Sequence, residues 1–182
     1  QNEQSFVIRV VESISEFTAD EWNSLVGASR QDADYNPFIT RNFLSALEGS
    51  GSVSRQTGWL SRHLRLEDDQ GRLIGAVPNY LKGHSQGEYV FDHGWADAFE
   101  RAGGRYYPKF QAAVPFTPAT GPRLLNHIAY ESHTVRLALA GGLRELADQS
   151  GVSSAHVTFA LPDEIDALKR AEFLHRTDQQ FH

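Results

Sequence analysis

A chain of 182 residues with 40% apolar and 22% charged residues can bury one ordinary core, and its composition is that of a folded domain. Its net charge of -6 argues against a broad nucleic-acid surface, which needs clustered Lys and Arg against phosphates. The absence of cysteine excludes disulfides, thiol catalysis and Cys-ligated zinc and fits a cytoplasmic protein; no apolar run approaches the ~20 residues of a membrane helix, and no basic-then-apolar leader opens the chain.

Residues 6–11 are β-branched and apolar, a first strand. Thr18 and Glu21 have capping-box spacing, and Trp22, Leu25 and Val26 follow on one helical face before a stop at Gly27. Thr40 caps a second helix with Phe43, Leu44 and Leu47 inward. Residues 60–67 and 73–81 flank the turn Asp68-Asp69-Gln70-Gly71 and form a β-hairpin, with Pro78 breaking its second strand. Residues 89–92 read as a third strand, 95–102 as a short helix stopped by Gly103-Gly104, and 110–116 as a fourth strand. Residues 131–149 make the longest helix, with Val135, Leu137, Leu139, Leu143, Leu146 and Ala147 as a broad apolar face and a kink expected at Gly141-Gly142. Residues 155–161 form a fifth strand, Pro162 opens a further helix, and residues 174–182 look like the start of another strand. The order predicts an α/β (α+β) domain: a mixed sheet, an antiparallel meander followed by βαβ crossovers, helices on both faces.

Function concentrates between residues 87 and 123. Eight of the chain's 20 aromatics fall from Tyr89 to Phe116, and four of its seven prolines from Pro108 to Pro122. Rings, acids, imidazole and guanidinium occur together here, as in the wall of a binding cleft. Such sheets take ligands where neighbouring strands part.

Particular wording goes further. Asn36-Pro37-Phe38, the run from Gly75 to Lys82, Gly87-Glu88-Tyr89-Val90-Phe91-Asp92-His93-Gly94-Trp95-Ala96, Tyr106-Tyr107-Pro108-Lys109 and Val114-Pro115-Phe116-Thr117-Pro118 with Gly121-Pro122-Arg123 closely resemble the FemAB-like, peptidogalycan-type family of GNAT-related acyltransferases. The resemblance implies a GNAT-like domain, the N-terminal of two in tandem, with the second domain of the same chain as partner. It implies transfer of an acyl or aminoacyl group from coenzyme A or tRNA to an amine on a small-molecule or peptide acceptor. An acyl-CoA cofactor would be gripped by backbone N–H groups between the fourth strand and the long helix. The equivalent place here reads Pro118-Ala119-Thr120-Gly121-Pro122-Arg123, and Pro122 has no N–H to give. Thr120, Gly121 and Arg123 are the remaining candidates for an anion, with a rigid turn as the equal alternative.

Acyl transfer to an amine needs a base, an acid and charge stabilisation. The catalytic candidates are Asp92, His93 and Tyr107. Tyr89, Trp95, Asp97, Arg105, Tyr106 and Lys109 are the candidates for holding substrate. On a strand, Asp92 and His93 point to opposite faces, so only one faces the cleft. Against catalysis, Asp92 serves as a helix cap, His93 as a hydrogen-bonded rim residue, and the tyrosines as packing. His84, His93 and Asp97 match no metal-binding spacing, and no metal is expected. Two functions stay open: an acyl- or aminoacyl-transferase half that carries acceptor-binding groups, or a non-catalytic half that binds a ligand or partner and braces a catalytic domain. An edge exposed where a second domain docks would also let this piece pair as a homodimer.

Overall fold

The expected hairpin is the axis of the fold in the computed structural model, which describes residues 5–26, 35–90 and 92–177. Gly27, Phe91 and residues 178–182 lie outside the described residues. The strands are β1 Val7–Val11, β2 Trp59–Ser61, β3 His63–Glu67, β4 Leu73–Val77, β5 Asn79–Lys82, β6 Lys109–Ala112, β7 Leu125–Asn126 and β8 Ala155–Val157. The helices are α1 Ala19–Val26, α2 Arg41–Gly49, α3 His93–Arg101, α4 Ser132–Ser150 and α5 Ile165–Arg170.

Each hairpin strand is cut in two, at Arg62 and at Pro78. Pro78 carries no N–H for a ladder. The Arg62 N–H still reaches the Asn79 carbonyl at 2.9 Å, so the chains stay paired across the break while changing sheet. Two four-stranded sheets result, ordered β1-β3-β4-β7 and β2-β5-β6-β8, in place of the single sheet expected from the pattern. All pairings are antiparallel except β6 with β8, which the α4 crossover makes parallel. Helices cover both faces. One core joins Leu64, Leu66 and Ile74 to Val135, Leu139 and Leu143 of α4; the other joins Val11, Ala76 and Leu125 to Trp22 and Leu25 of α1 and Leu44 of α2.

Local chemistry explains the ends. The α1 capping box closes both ways: the Thr18 N–H donates to Glu21 Oε2 at 2.8 Å and the Glu21 N–H to Thr18 Oγ1 at 3.2 Å. Asp68 accepts the Gln70 and Arg72 N–H groups and shapes the hairpin turn. α4 runs through Gly141-Gly142 without interruption. A Cβ on Gly142 would lie 2.2 Å from Ile8 Cδ1, so that glycine serves close packing of β1.

Three expectations change. Residues 89, 90 and 92 are not in a strand: Tyr89 sits at φ 57 and Asp92 is the N-cap position of α3, which begins at His93. The strand expected over 110–116 ends at Ala112, because the chain leaves to form an irregular segment and returns as β7. Residues 174–177 are not in a strand.

Beside the break, Glu48 of α2 clamps the hairpin. Its carboxylate accepts from the Ile14 N–H, Ser13 Oγ and Ser61 Oγ, and from His63 Nε2 at 3.1 Å. His63 Nδ1 accepts the Asn79 N–H, which places the ring proton on Nε2. Burial alone would raise the Glu48 carboxyl, but the bonds from His63, Ser13 and Ser61 outweigh it and hold it at about 2. The folded value lies below the unfolded one, so this contribution is complete above about pH 4.5 and is lost as pH falls toward 2. A Glu48→Gln variant should be less stable at neutral pH by roughly 2 kcal/mol, and the gap should close in acid. Urea midpoints of both proteins between about pH 7 and 3 check this; a gap that widens in acid contradicts it.

Candidate functional site

Register creates a site that composition does not announce. Trp59 of β2 pairs with Lys82 of β5, and Lys82 pairs with Lys109 of β6. Directly opposed residues project on one face, so an indole and two lysine amino groups stand abreast across the sheet. Both lysines are fully buried. Such a like-charge pair is unfavourable without compensation.

Compensation comes from the strap of residues 83–90 and from the α3 cap. Lys109 Nζ donates to Glu88 Oε2 at 2.8 Å and to Asp92 Oδ2 at 2.5 Å, and the Tyr106 hydroxyl donates to the same Asp92 oxygen at 2.8 Å. Burial opposes the Asp92 carboxylate, but Lys109 and Tyr106 keep it below the usual range. For Glu88 burial wins over Lys109 and pushes the carboxyl up. Lys82 Nζ lies 3.6 Å from the Trp59 ring centroid and donates to the Gln86 carbonyl at 3.0 Å. Beyond Lys109, half-buried His156 is held down at about 4 by desolvation and by the Lys109 charge.

The strap is pinned over the lysines. The Phe116 N–H donates to the Gly87 carbonyl at 3.1 Å, and a Cβ on Gly87 would meet the Phe116 ring at 2.6 Å. Gly87 has φ 78, so only glycine fits both the backbone and the contact. Tyr107 OH and Ser85 Oγ are 2.5 Å apart at its base.

Of the sequence candidates, the structure brings Asp92, Tyr106, Tyr107 and Lys109 together with the strap. His93 is exposed on the first turn of α3, and Asp92 faces inward alone; a helix start, not strand alternation, separates them. Asp92 makes no side-chain cap bond, because its carboxylate is engaged by Lys109 and Tyr106. Tyr89 and Trp95 form an exposed rim, 53% and 60% accessible, and the Arg176 guanidinium carbon lies 5.4 Å from the Trp95 ring centroid. Asp97 lines a shallow depression with Glu100 and Arg101, and Arg105 is exposed outside the cluster. Lys82, Glu88 and Trp59 were not singled out by sequence. The only signal was a lysine closing an otherwise apolar strand.

The turn at residues 118–123 stands apart from this cluster. Arg123 is fully buried. Its Nε donates to the Thr158 carbonyl at 2.9 Å, Nη1 to Pro122 at 3.1 Å and Nη2 to Ala119 at 2.7 Å. Burial lowers its guanidinium to about 10 against the opposing pull of Glu164. The Gly121 N–H is engaged by the Phe159 carbonyl, and Thr120 is exposed with its carbonyl facing Asn36. Buried Glu164 accepts the Arg123, Leu124 and Leu161 N–H groups at 2.7, 2.6 and 2.8 Å. The gap where β7 and the chain after β8 diverge is stitched shut.

An acyl-CoA pyrophosphate needs free N–H groups at that place or at the helix that follows. At α4 the Glu131 carboxylate already accepts the His133 and Thr134 N–H groups, at 2.9 and 2.6 Å. A resident negative charge holds the helix N-terminus. The residues present do not fit a coenzyme A grip. No group of three or more metal-ligating side chains occurs among the described residues, and no helix among them is long and apolar enough to cross a membrane.

Among solved structures, the ribosomal-protein-alanine N-acetyltransferase of Brucella melitensis biovar Abortus 2308 is similar with a TM-score of 0.52 at 14% identity, over 98% of this chain and 97% of that one. The aminoglycoside antibiotic 6'-N-acetyltransferase of Acinetobacter baumannii is similar with a TM-score of 0.50 at 15% identity, over 98% and 96%. These likenesses establish the GNAT acetyltransferase fold. No curated protein matches the sequence. A family model, FemAB-like, described as peptidogalycan biosynthesis/recognition, matches residues 13–182. The chain, with its doubled GNAT-type sheet and its acid–lysine cluster beneath an aromatic rim, belongs to the FemAB-like family.

Proposed function

We propose that this domain is the acceptor-side half of an acyl- or aminoacyl-transferase acting on an amine, with the donor gripped by a second GNAT-like domain. One observation carries the division of labour: the donor loop is closed by Arg123, Glu164 and Glu131, while the opposite end of β5 and β6 gathers acids and lysines under exposed aromatics. The family's description, peptidogalycan biosynthesis/recognition, points to a peptide or amino-sugar acceptor.

Calorimetry tests the reading. Acetyl-CoA should give no saturable heat with the chain, and a muropeptide with a free amine should bind. Saturable acetyl-CoA binding would sink the acceptor-side assignment. A bracing role without catalysis is favoured by a different feature, the exposed Trp95 and Phe99 one turn apart on α3. Silence toward both ligands selects that reading.

A further inference from the structure

Lys82 differs from every other member of the cluster. Lys109 has two carboxylates, but no carboxylate lies within ion-pair distance of Lys82 Nζ among the described residues. Its partners among the described residues are one carbonyl and one indole face. A neutral amine has two N–H bonds, which those partners satisfy, and a lone pair left over. On the two carboxylates that hold Lys109, Glu88 Oε1 and Asp92 Oδ1 are buried with no hydrogen-bond partner, as is Trp59 Nε1. Two carboxylate oxygens and an amine lone pair, all lacking a donor, complement one chemical class, the primary alkylammonium. The cover is the strap, which Phe116 ties at Gly87 and which carries exposed Tyr89 in a left-handed conformation.

We propose that Lys82 takes a proton from a primary ammonium substrate admitted under the strap of residues 83–90, with Glu88 and Asp92 holding that ammonium. The step is balanced: R–NH3+ and the neutral Lys82 amine give R–NH2 and the Lys82 ammonium. The substrate nitrogen gains the lone pair that attack on an acyl carbon requires. This rests on the amine-acceptor reading above and names its base. The charged and titratable groups around Lys82 are Lys109 on β6 and Glu88 and His84 on the strap. Burial, aided by Lys109 and opposed by Glu88, brings Lys82 down to about 8, so its free amine is populated near neutral pH.

Trace acylation of the intact chain, read by mass spectrometry across pH, tests the assignment. Lys82 should label with a midpoint near pH 8, below the ~10.4 of a lysine in a model peptide; exposed Lys169 serves as the internal reference for labelling. Nα-acetyl-lysine methylamide, raised to about ten times its dissociation constant, should slow Lys82 labelling roughly tenfold relative to Lys169. Glu88→Gln should remove that protection. The proposal is overturned if Lys82 labels only on unfolding, follows the Lys169 profile, or is unprotected by the amine. Acetyl-CoA binding would defeat the acceptor-side reading and leave amine protection standing; loss of protection defeats this proposal and leaves the calorimetry standing.

Discussion

Replacing Lys109 with alanine should destabilise the domain by about 3–5 kcal/mol. The reason is not the worth of the ion pair itself. Glu88 and Asp92, with side chains 1% and 9% exposed, would be left near each other without the cation. Uncompensated buried charge is far more costly than an intact pair is stabilising. The triple replacement Lys109→Met, Glu88→Gln, Asp92→Asn removes the charges together and should recover stability to within about 1–2 kcal/mol of the parent. Urea unfolding at neutral pH measures both. A Lys109→Ala protein within about 1 kcal/mol of the parent would show that the acids are rehydrated at little cost, contrary to the geometry.

Glu164→Ala should cost a similar amount, about 3–5 kcal/mol, for a different reason. One carboxylate satisfies three backbone N–H groups from two segments, and it also compensates the buried Arg123. Removing it leaves those donors without partners in a dry site. Glu164→Gln keeps an acceptor oxygen but turns an NH2 toward the N–H groups, so it should fall between parent and alanine. Hydrogen exchange at Leu124 and Leu161 localises the loss; if those amides stay protected in Glu164→Ala, the closure of the gap does not depend on the carboxylate.

What could be read from the sequence divides along a physical line. The α1 box at Thr18 and Glu21, the Asp68 turn and the long α4 face depend on residues a few positions apart, and all formed. The segment 89–92 carries strand-forming residues, yet its backbone turns left-handed at Tyr89 because the strap must cross the sheet and deliver Asp92 to Lys109. The pairing of Lys82 with Lys109 was equally illegible, since it depends on register between strands separated by the strap and α3. Asp92, Tyr106 and Lys109 were visible as chemistry; that they share one proton-rich cluster was not. Arg123 looked like an anion contact because guanidinium beside a tight turn is the usual pattern, and only tertiary structure reveals four donors turned inward.

The hairpin that changes sheet at Arg62 and Pro78 has a bearing on how such a domain can be inherited. β2 and β5 belong to one sheet, β3 and β4 to the other, so both sheets share the same two lengths of chain. No cut in the sequence separates them. A duplication, fusion or split that respects folding must carry the whole unit, and the cluster at one end of the hairpin travels with the core at the other. The strap at 83–90 and the turn at 118–123 lie outside these shared strands, one covering the lysines and the other filling the gap between strands.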